Sequence, residues 1–140
     1  TMGIGISVAA GEEHMLKRGK LTLTQRILIR ATELIGRPNG WCKYSWSRTS
    51  ATGEKQVCML GAIGSATMEL TGCSRGDDSF NRHVDAVAAL VAPFSPMAYM
   101  YGYGGRPALS KFNDAPGTTQ EQVKAIFCQA VKRELEDDQA

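Results

Sequence analysis

Hydrophobic positions recur at helical spacing in four stretches of this chain. The first opens on Thr22-Leu23-Thr24-Gln25, which has the form of a capping box: the threonine hydroxyl accepts an early amide hydrogen and the glutamine reaches back to the cap. Leu23, Ile27, Ala31, Leu34 and Ile35 then repeat on one face, Gly36 offers a left-handed stop and Pro38 blocks continuation, so a helix is predicted over 22–35. The second stretch, Val57 to Thr71, is apolar nearly all round, as a central buried helix is, and ends at Gly72. Its Gly61, Gly64, Ser65 and Ala66 predict close approach by a neighbouring helix, because interior glycines weaken a helix by roughly 1 kcal/mol each unless packing needs them. In the third, Asp77 or Asp78 caps a helix whose inner face carries Phe80, Val84, Val87, Ala88 and Val91, halted by Pro93 and Pro96. The fourth follows a second box, Thr118-x-x-Glu121, with an apolar stripe of Val123, Ile126, Phe127, Ala130, Val131 and Leu135.

Between these stretches the pattern is less regular. Residues 41–57 predict a short hairpin turning near Ala51-Thr52-Gly53 and running into Lys55–Cys58. Tyr99, Tyr101 and Tyr103 alternate as on a short strand near 98–104, before a pliable Gly-rich run that lacks the lysine pattern of a phosphate-binding loop. The fold class is therefore mainly α: a compact bundle of about four helices with one or two short extended or hairpin segments. Residues 1–20 form an N-terminal arm, 21–136 a single helical domain and 137–140 an acidic tail.

Composition narrows the function classes. The chain has 140 residues, 43% of them hydrophobic, which suits one cored domain rather than a disordered chain. No run of 18 or more apolar residues occurs, so a transmembrane helix is not predicted. Ile4 to Ala10 is broken by Gly5 and Ser7 and no basic region precedes it, so no secretory signal is read and a cytoplasmic location is expected. The formal charge of +2 is an average: residues 1–55 hold nine bases against four acids, and the remainder seven against ten. That asymmetry keeps nucleic-acid binding through the basic N-terminal part as an alternative, although the bases are scattered and the pI near 8.4 is modest for a dedicated binder.

The chemistry-bearing residues are few. Cys42, Cys58, Cys73 and Cys128 form no CxxC pair and match no zinc spacing, so neither a metal nor a cofactor is expected. Cys58 and Cys128 fall on apolar helical faces, where a thiol behaves as a small hydrophobe. A Cys42–Cys58 pairing remains an alternative, since both flank one connection. A thiol enzyme would combine Cys58, at a helix N-terminus that lowers its pKa, with His83 and with Asn113 or Asp114. Asn113-Asp114 followed by Ala-Pro-Gly reads first as a pair that binds loop amides or caps a helix, and second as a polar binding site. Trp41 is expected to lid the core, and Trp46 either to do so or to face a partner.

Three segments together have a recognisable form: Gly40-Trp41-Cys42, Val57-Cys58-Met59-Leu60-Gly61-Ala62, and Phe112-Asn113-Asp114-Ala115-Pro116-Gly117-Thr118-Thr119. Preceded by the Arg-Ile-Leu…Ala-Thr-Glu-Leu-Ile-Gly helix, they resemble a family of small proteins of unknown function from actinobacteria and their phages. The similarity covers roughly residues 21–135, with Phe112 where the family usually has tryptophan before Asn-Asp. Trp41, Cys42, Cys58, Asn113 and Asp114 carry its structural motif. The resemblance implies a cytoplasmic, mostly helical domain of phage or actinobacterial origin, and no reaction.

The leading expectation is a non-enzymatic protein-binding or regulatory accessory protein, phage-encoded and host-modulating. Its contact surface joins Tyr44, Trp46 and Arg48 with Tyr99, Tyr101, Tyr103 and Arg106, a residue mix favoured at interface hot spots. Another protein is the expected partner, with nucleic acid and a second copy of the chain as alternatives and no membrane.

Overall fold

The computed structural model describes the backbone of residues 21–101 and 105–139, and the side chains of 21–100 and 105–136. The arm expected over 1–20 and the glycines and tyrosine of 102–104 lie outside the described residues. Helix α1, Leu23–Ile35, starts from Thr22 with both bonds of the capping box in place: Gln25 N–H donates to Thr22 Oγ1 and Thr22 N–H to Gln25 Oε1, each at 3.0 Å. Its end differs from expectation. Gly36 stays right-handed at φ −89°, and the left-handed turn is made three residues later by Asn39 at φ 53°.

The chain then enters the hairpin. Strand β1, Ser47–Thr49, pairs antiparallel with β2, Lys55–Val57, with Arg48 opposite Gln56. On the other side of β2, Val57 N–H donates to Gly40 O at 2.9 Å and Cys42 N–H to Val57 O at 3.1 Å, so residues 40–42 act as a short third ribbon. The turn is closed by Glu54, whose carboxylate accepts from Ser50, Thr52 and Asn39 side chains. Those bonds hold the Glu54 pKa down to about 2 from its ordinary 4.5. A depressed folded-state carboxylate pKa contributes stability above the unfolded value and loses it as pH falls. The wild-type chain is therefore expected to lose stability relative to Glu54→Gln between about pH 4.5 and 2. Parallel chemical denaturation of both proteins across that range checks it, and a pH-independent difference would contradict it.

Helix α2, Met59–Thr71, is the central helix and ends at a left-handed Gly72 (φ 75°). Helix α3, Asp78–Val91, buries the expected Phe80, Val84, Val87, Ala88 and Val91. Asp77 stands at its cap position, but its carboxylate accepts the Ser74 amide at 3.0 Å instead of a helix amide. Two 3₁₀ turns follow, Ala92–Phe94 and Ala98–Tyr101. Over 98–101 the second stands where part of an extended segment was expected, since Tyr99 and Tyr101 fall on a tight turn rather than a pleat.

A fifth helix, α4 (Gly105–Asp114), appears where an irregular segment was expected. Pro107 is tolerated there because it stands in the first turn, where its missing N–H has no helical partner to lose. Helix α5 spans Gln120–Gln139, so positions 137–139 continue its backbone. Its N-terminal box is shifted by one residue from expectation. Thr118 Oγ1 donates to Phe112 O at 2.8 Å, which leaves Thr119 and Gln122 to exchange the capping bonds at 2.9 and 3.3 Å. The protein is thus mainly helical, and the described residues form five helices and one two-stranded hairpin around a shared core that includes Ile27, Ile35, Met59, Ile63, Phe80, Leu109 and Phe127. Among the described residues, no helix is long and apolar enough to cross a membrane.

Candidate functional site

Asn113, in the last turn of α4, is 2% exposed and uses its amide in four directions. Its Oδ1 accepts from Trp41 Nε1 at 2.7 Å and from the Met59 backbone N–H at 3.0 Å. Its Nδ2 donates to Cys42 O at 3.1 Å and to Asp114 Oδ1 at 2.9 Å. A neutral amide is the side chain that both accepts and donates in pairs, and here it ties the 40–42 ribbon, the start of α2 and the end of α4 to one point. The three motif segments of the sequence therefore meet around Asn113.

Asp114 extends this junction to the surface. Its Oδ1 accepts the Tyr44 N–H at 2.9 Å, and the Tyr44 hydroxyl donates to the Asp114 carbonyl at 3.3 Å. Lys43 Nζ donates to Ala115 O at 2.7 Å and lies 5.8 Å from the Trp41 ring centroid. Tyr44 is held at φ 65°, a left-handed conformation that costs a non-glycine residue free energy unless its surroundings impose it. Its ring is 76% exposed.

Beside Tyr44 opens a cleft of about 270 Å³, lined by Tyr44, Ser45, Trp46, Cys58, Leu60, Arg75, Ser110, Asn113 and Asp114. Trp46 is the aromatic residue beside Tyr44 in that lining. The Trp46 carbonyl accepts the Cys58 N–H at 3.1 Å, and its ring lies 6.3 Å from that of Phe80. The glycines of α2 serve this residue and not a neighbouring helix. A Cβ on Gly61 would overlap the Trp46 carbonyl, and one on Gly64 would overlap the Trp46 ring. Arg75 covers the exposed side, 4.1 Å from the Trp46 centroid, a cation–π arrangement that local sequence pattern did not reveal.

The cysteines are all unpaired, and their burial differs from the expected order. Cys42 is the buried one, at 2%, while Cys58 and Cys128 are half-buried. Cys58 stands at the N-cap of α2 and its sulfur accepts the Gly61 N–H at 3.2 Å. Burial nevertheless pushes its pKa up, outweighing the Gly61 and Leu60 amides that pull it down, so the helix terminus does not yield the lowered pKa expected of it. Burial likewise raises Cys42 and Cys128. His83 is half-buried on α3 and does not line the cleft that holds Cys58. Among the described residues, no group of three or more His, Cys, Asp or Glu could hold a metal ion.

Of the seven expected contact residues, the five with described side chains are spread over separate elements. Tyr44 and Trp46 flank the cleft at the C-terminal end of α4. Arg48 lies on β1 and donates through Nε to Gln56 Oε1 at 2.9 Å. Arg106, near the opposite end of α4, is engaged by Asp85 at 2.7 Å and Asn81 at 3.1 Å. Eight residues at 1.5 Å rise separate Arg106 from Asp114 by about 12 Å. Tyr99 is 71% exposed on the second 3₁₀ turn. The Tyr101 side chain and all of Tyr103 lie outside the described residues.

The chain belongs to a protein family of unknown function, DUF6197, whose model matches residues 20–133. That span takes in the cleft and every segment that meets at Asn113. No curated protein and no solved structure matches the chain.

Proposed function

We propose that this chain is a non-enzymatic protein-binding accessory protein that seats a partner protein on the Tyr44–Trp46–Arg75 face. The observation that carries the reading is Tyr44: an aromatic side chain left in solvent while its backbone is fixed in a left-handed turn by Asp114. A preformed tyrosine anchor loses little freedom on binding, which is where preorganised interfaces gain affinity. Trp46 and Arg75 supply the other residue types enriched at hot spots, around a cleft whose volume of about 270 Å³ accommodates an inserted side chain. The resemblance to actinobacterial and phage proteins supports a host-modulating form of this role.

Alanine at Tyr44 tests it. The side chain is exposed and its one hydrogen bond, from the hydroxyl to the Asp114 carbonyl, is made in solvent, so the melting temperature is expected to stay within a few degrees of wild type. Capture of host proteins by the immobilised chain is expected to fall at least about tenfold, as loss of a hot spot of roughly 2 kcal/mol requires. Equal capture by wild type, Tyr44→Ala and Arg75→Ala would overturn the reading.

A further inference from the structure

A second cavity lies away from the Asn113 junction, between the hairpin and the α1–α2 pair. It holds about 410 Å³, a size typical of small-ligand sites. Its walls carry Arg30, Arg37, Arg48 and Lys55 against the single carboxylate of Glu69. Glu69 is already committed: both its oxygens accept from Arg30 Nε, at 3.1 and 3.2 Å. Arg37, Arg48 and Lys55 have no carboxylate partner among the described residues. Arg30 is also paired with Glu33 at 3.2 Å, so the uncompensated charge of the lining is that of Arg37, Arg48 and Lys55.

Arg48 is aimed rather than loose. Its Nε donates to Gln56 Oε1 at 2.9 Å, and Gln56 is 5% exposed and itself donates to Asn39 Oδ1 at 3.1 Å. That bond uses one corner of the guanidinium, leaving Nη1 and Nη2 without a protein acceptor among the described residues. Ser47, Thr49 and Ser65 bring hydroxyl donors to the same groove. Converging cations without a counter-charge repel one another, and an anion in their midst removes that cost. A guanidinium fork, a lysine point charge and several hydroxyls match the many acceptor oxygens of a phosphate better than the two of a carboxylate.

We propose that this groove binds phosphate, supplied either by a free nucleotide or by the phosphodiester backbone of a single-stranded nucleic acid. Arg48 takes two of its oxygens, Lys55 and Arg37 neutralise the charge, and Arg30 stays bound to Glu69 as the wall. The site is separate from the Tyr44 face, so neither proposal depends on the other.

Fluorescence anisotropy with labelled oligothymidylate, and competition by adenosine triphosphate, tests it on the full chain. Three unpaired cations predict a log affinity against log salt slope of about −2, from roughly −0.7 per neutralised phosphate on a single strand. Lys55→Gln removes no side-chain hydrogen bond among the described residues and is expected to weaken binding about tenfold, as is Arg48→Gln, in line with charge-assisted bonds. Lys111→Gln, on α4 outside the groove, is expected to bind as wild type. Displacement by the triphosphate at concentrations too low to alter ionic strength assigns the site to a free nucleotide. Oligothymidylate binding that tightens with length and resists the triphosphate assigns it to the backbone. Failure of both probes to bind at low salt would overturn the proposal. So would unchanged affinity in Lys55→Gln and Arg48→Gln, or equally tight binding of polyglutamate.

Discussion

Replacement of Asn113 by alanine is expected to remove about 4 kcal/mol of unfolding free energy, close to the whole margin of a weakly stable domain. The change deletes few packed atoms. What it does is orphan three groups at once: the Trp41 indole N–H, the Met59 amide and the Cys42 carbonyl, all of which bond only to this side chain or lose a bond by its removal. Each buried polar group left unpaired costs roughly 1–3 kcal/mol, about twice what the bond itself gains over water. The denaturant midpoint should drop with an unchanged slope. Asn113→Asp separates the donors from the acceptors. It keeps the oxygen that serves Trp41 and Met59, but turns a carboxylate toward the Cys42 carbonyl and the Asp114 carboxylate. Burial and repulsion raise the folded-state pKa of such a group. Its stability deficit should therefore be smallest below the unfolded value of about 4 and grow as pH rises through that window. A deficit that does not change with pH, or an alanine variant within about 1 kcal/mol of wild type, would show that the junction is wetted and not a dry hub.

Why the sequence announces the helices but not this junction follows from where each bond is made. The α1 capping box, the α3 face and the hairpin turn at 50–54 are set by residues a few positions apart, and all three are legible in the order of side chains. Asn113 instead reaches Trp41, Cys42 and Met59 across 72, 71 and 54 positions. No local period encodes that. The motif segments were visible as words, but their meeting at one amide is a property of the packed helices. The misplacements have the same origin at short range. Thr118 looks like a cap until its hydroxyl is diverted to the Phe112 carbonyl, which hands the box to Thr119. The alternating tyrosines look like a strand because period two is all that sequence offers, and the 3₁₀ turn at Ala98–Tyr101 owes nothing to it. Arg75 sits in an unremarkable turn, and only the fold sets it over Trp46. The basic excess before residue 55 was readable as a total. Its division into an Arg30 paired with Glu69 and an uncompensated Arg37, Arg48 and Lys55 was not.

The glycines of α2 give the second large effect, and the two positions should behave differently although each lies against Trp46. At Gly64 a new Cβ meets the indole ring; at Gly61 it meets the Trp46 main-chain carbonyl. Overpacking of this kind costs about 1–3 kcal/mol, and more where the obstacle cannot turn aside. Gly64→Ala is therefore expected to lose about 2 kcal/mol, with the indole forced out from under Arg75 and its fluorescence moved toward that of a solvated ring. Gly61→Ala is expected to lose about 3 kcal/mol or more, since the carbonyl it displaces also accepts the Cys58 amide that leads into the helix. The distinction becomes a change of sign in the background of Trp46→Ala. Without the indole, the three nearest atoms that an alanine at 64 would meet are gone and it gains its helix preference, so adding Gly64→Ala should be neutral or stabilising by up to about 1 kcal/mol. An alanine at 61 still meets the same carbonyl, which residue 46 retains whatever its side chain, so adding Gly61→Ala should remain as costly as in wild type. Rescue of both positions by Trp46→Ala would mean that the hairpin is held to α2 by the indole alone. Rescue of Gly64→Ala only would establish that the Trp46 backbone is itself docked on the helix, the fixed point from which Ser45, Tyr44 and the rim of the cleft are suspended.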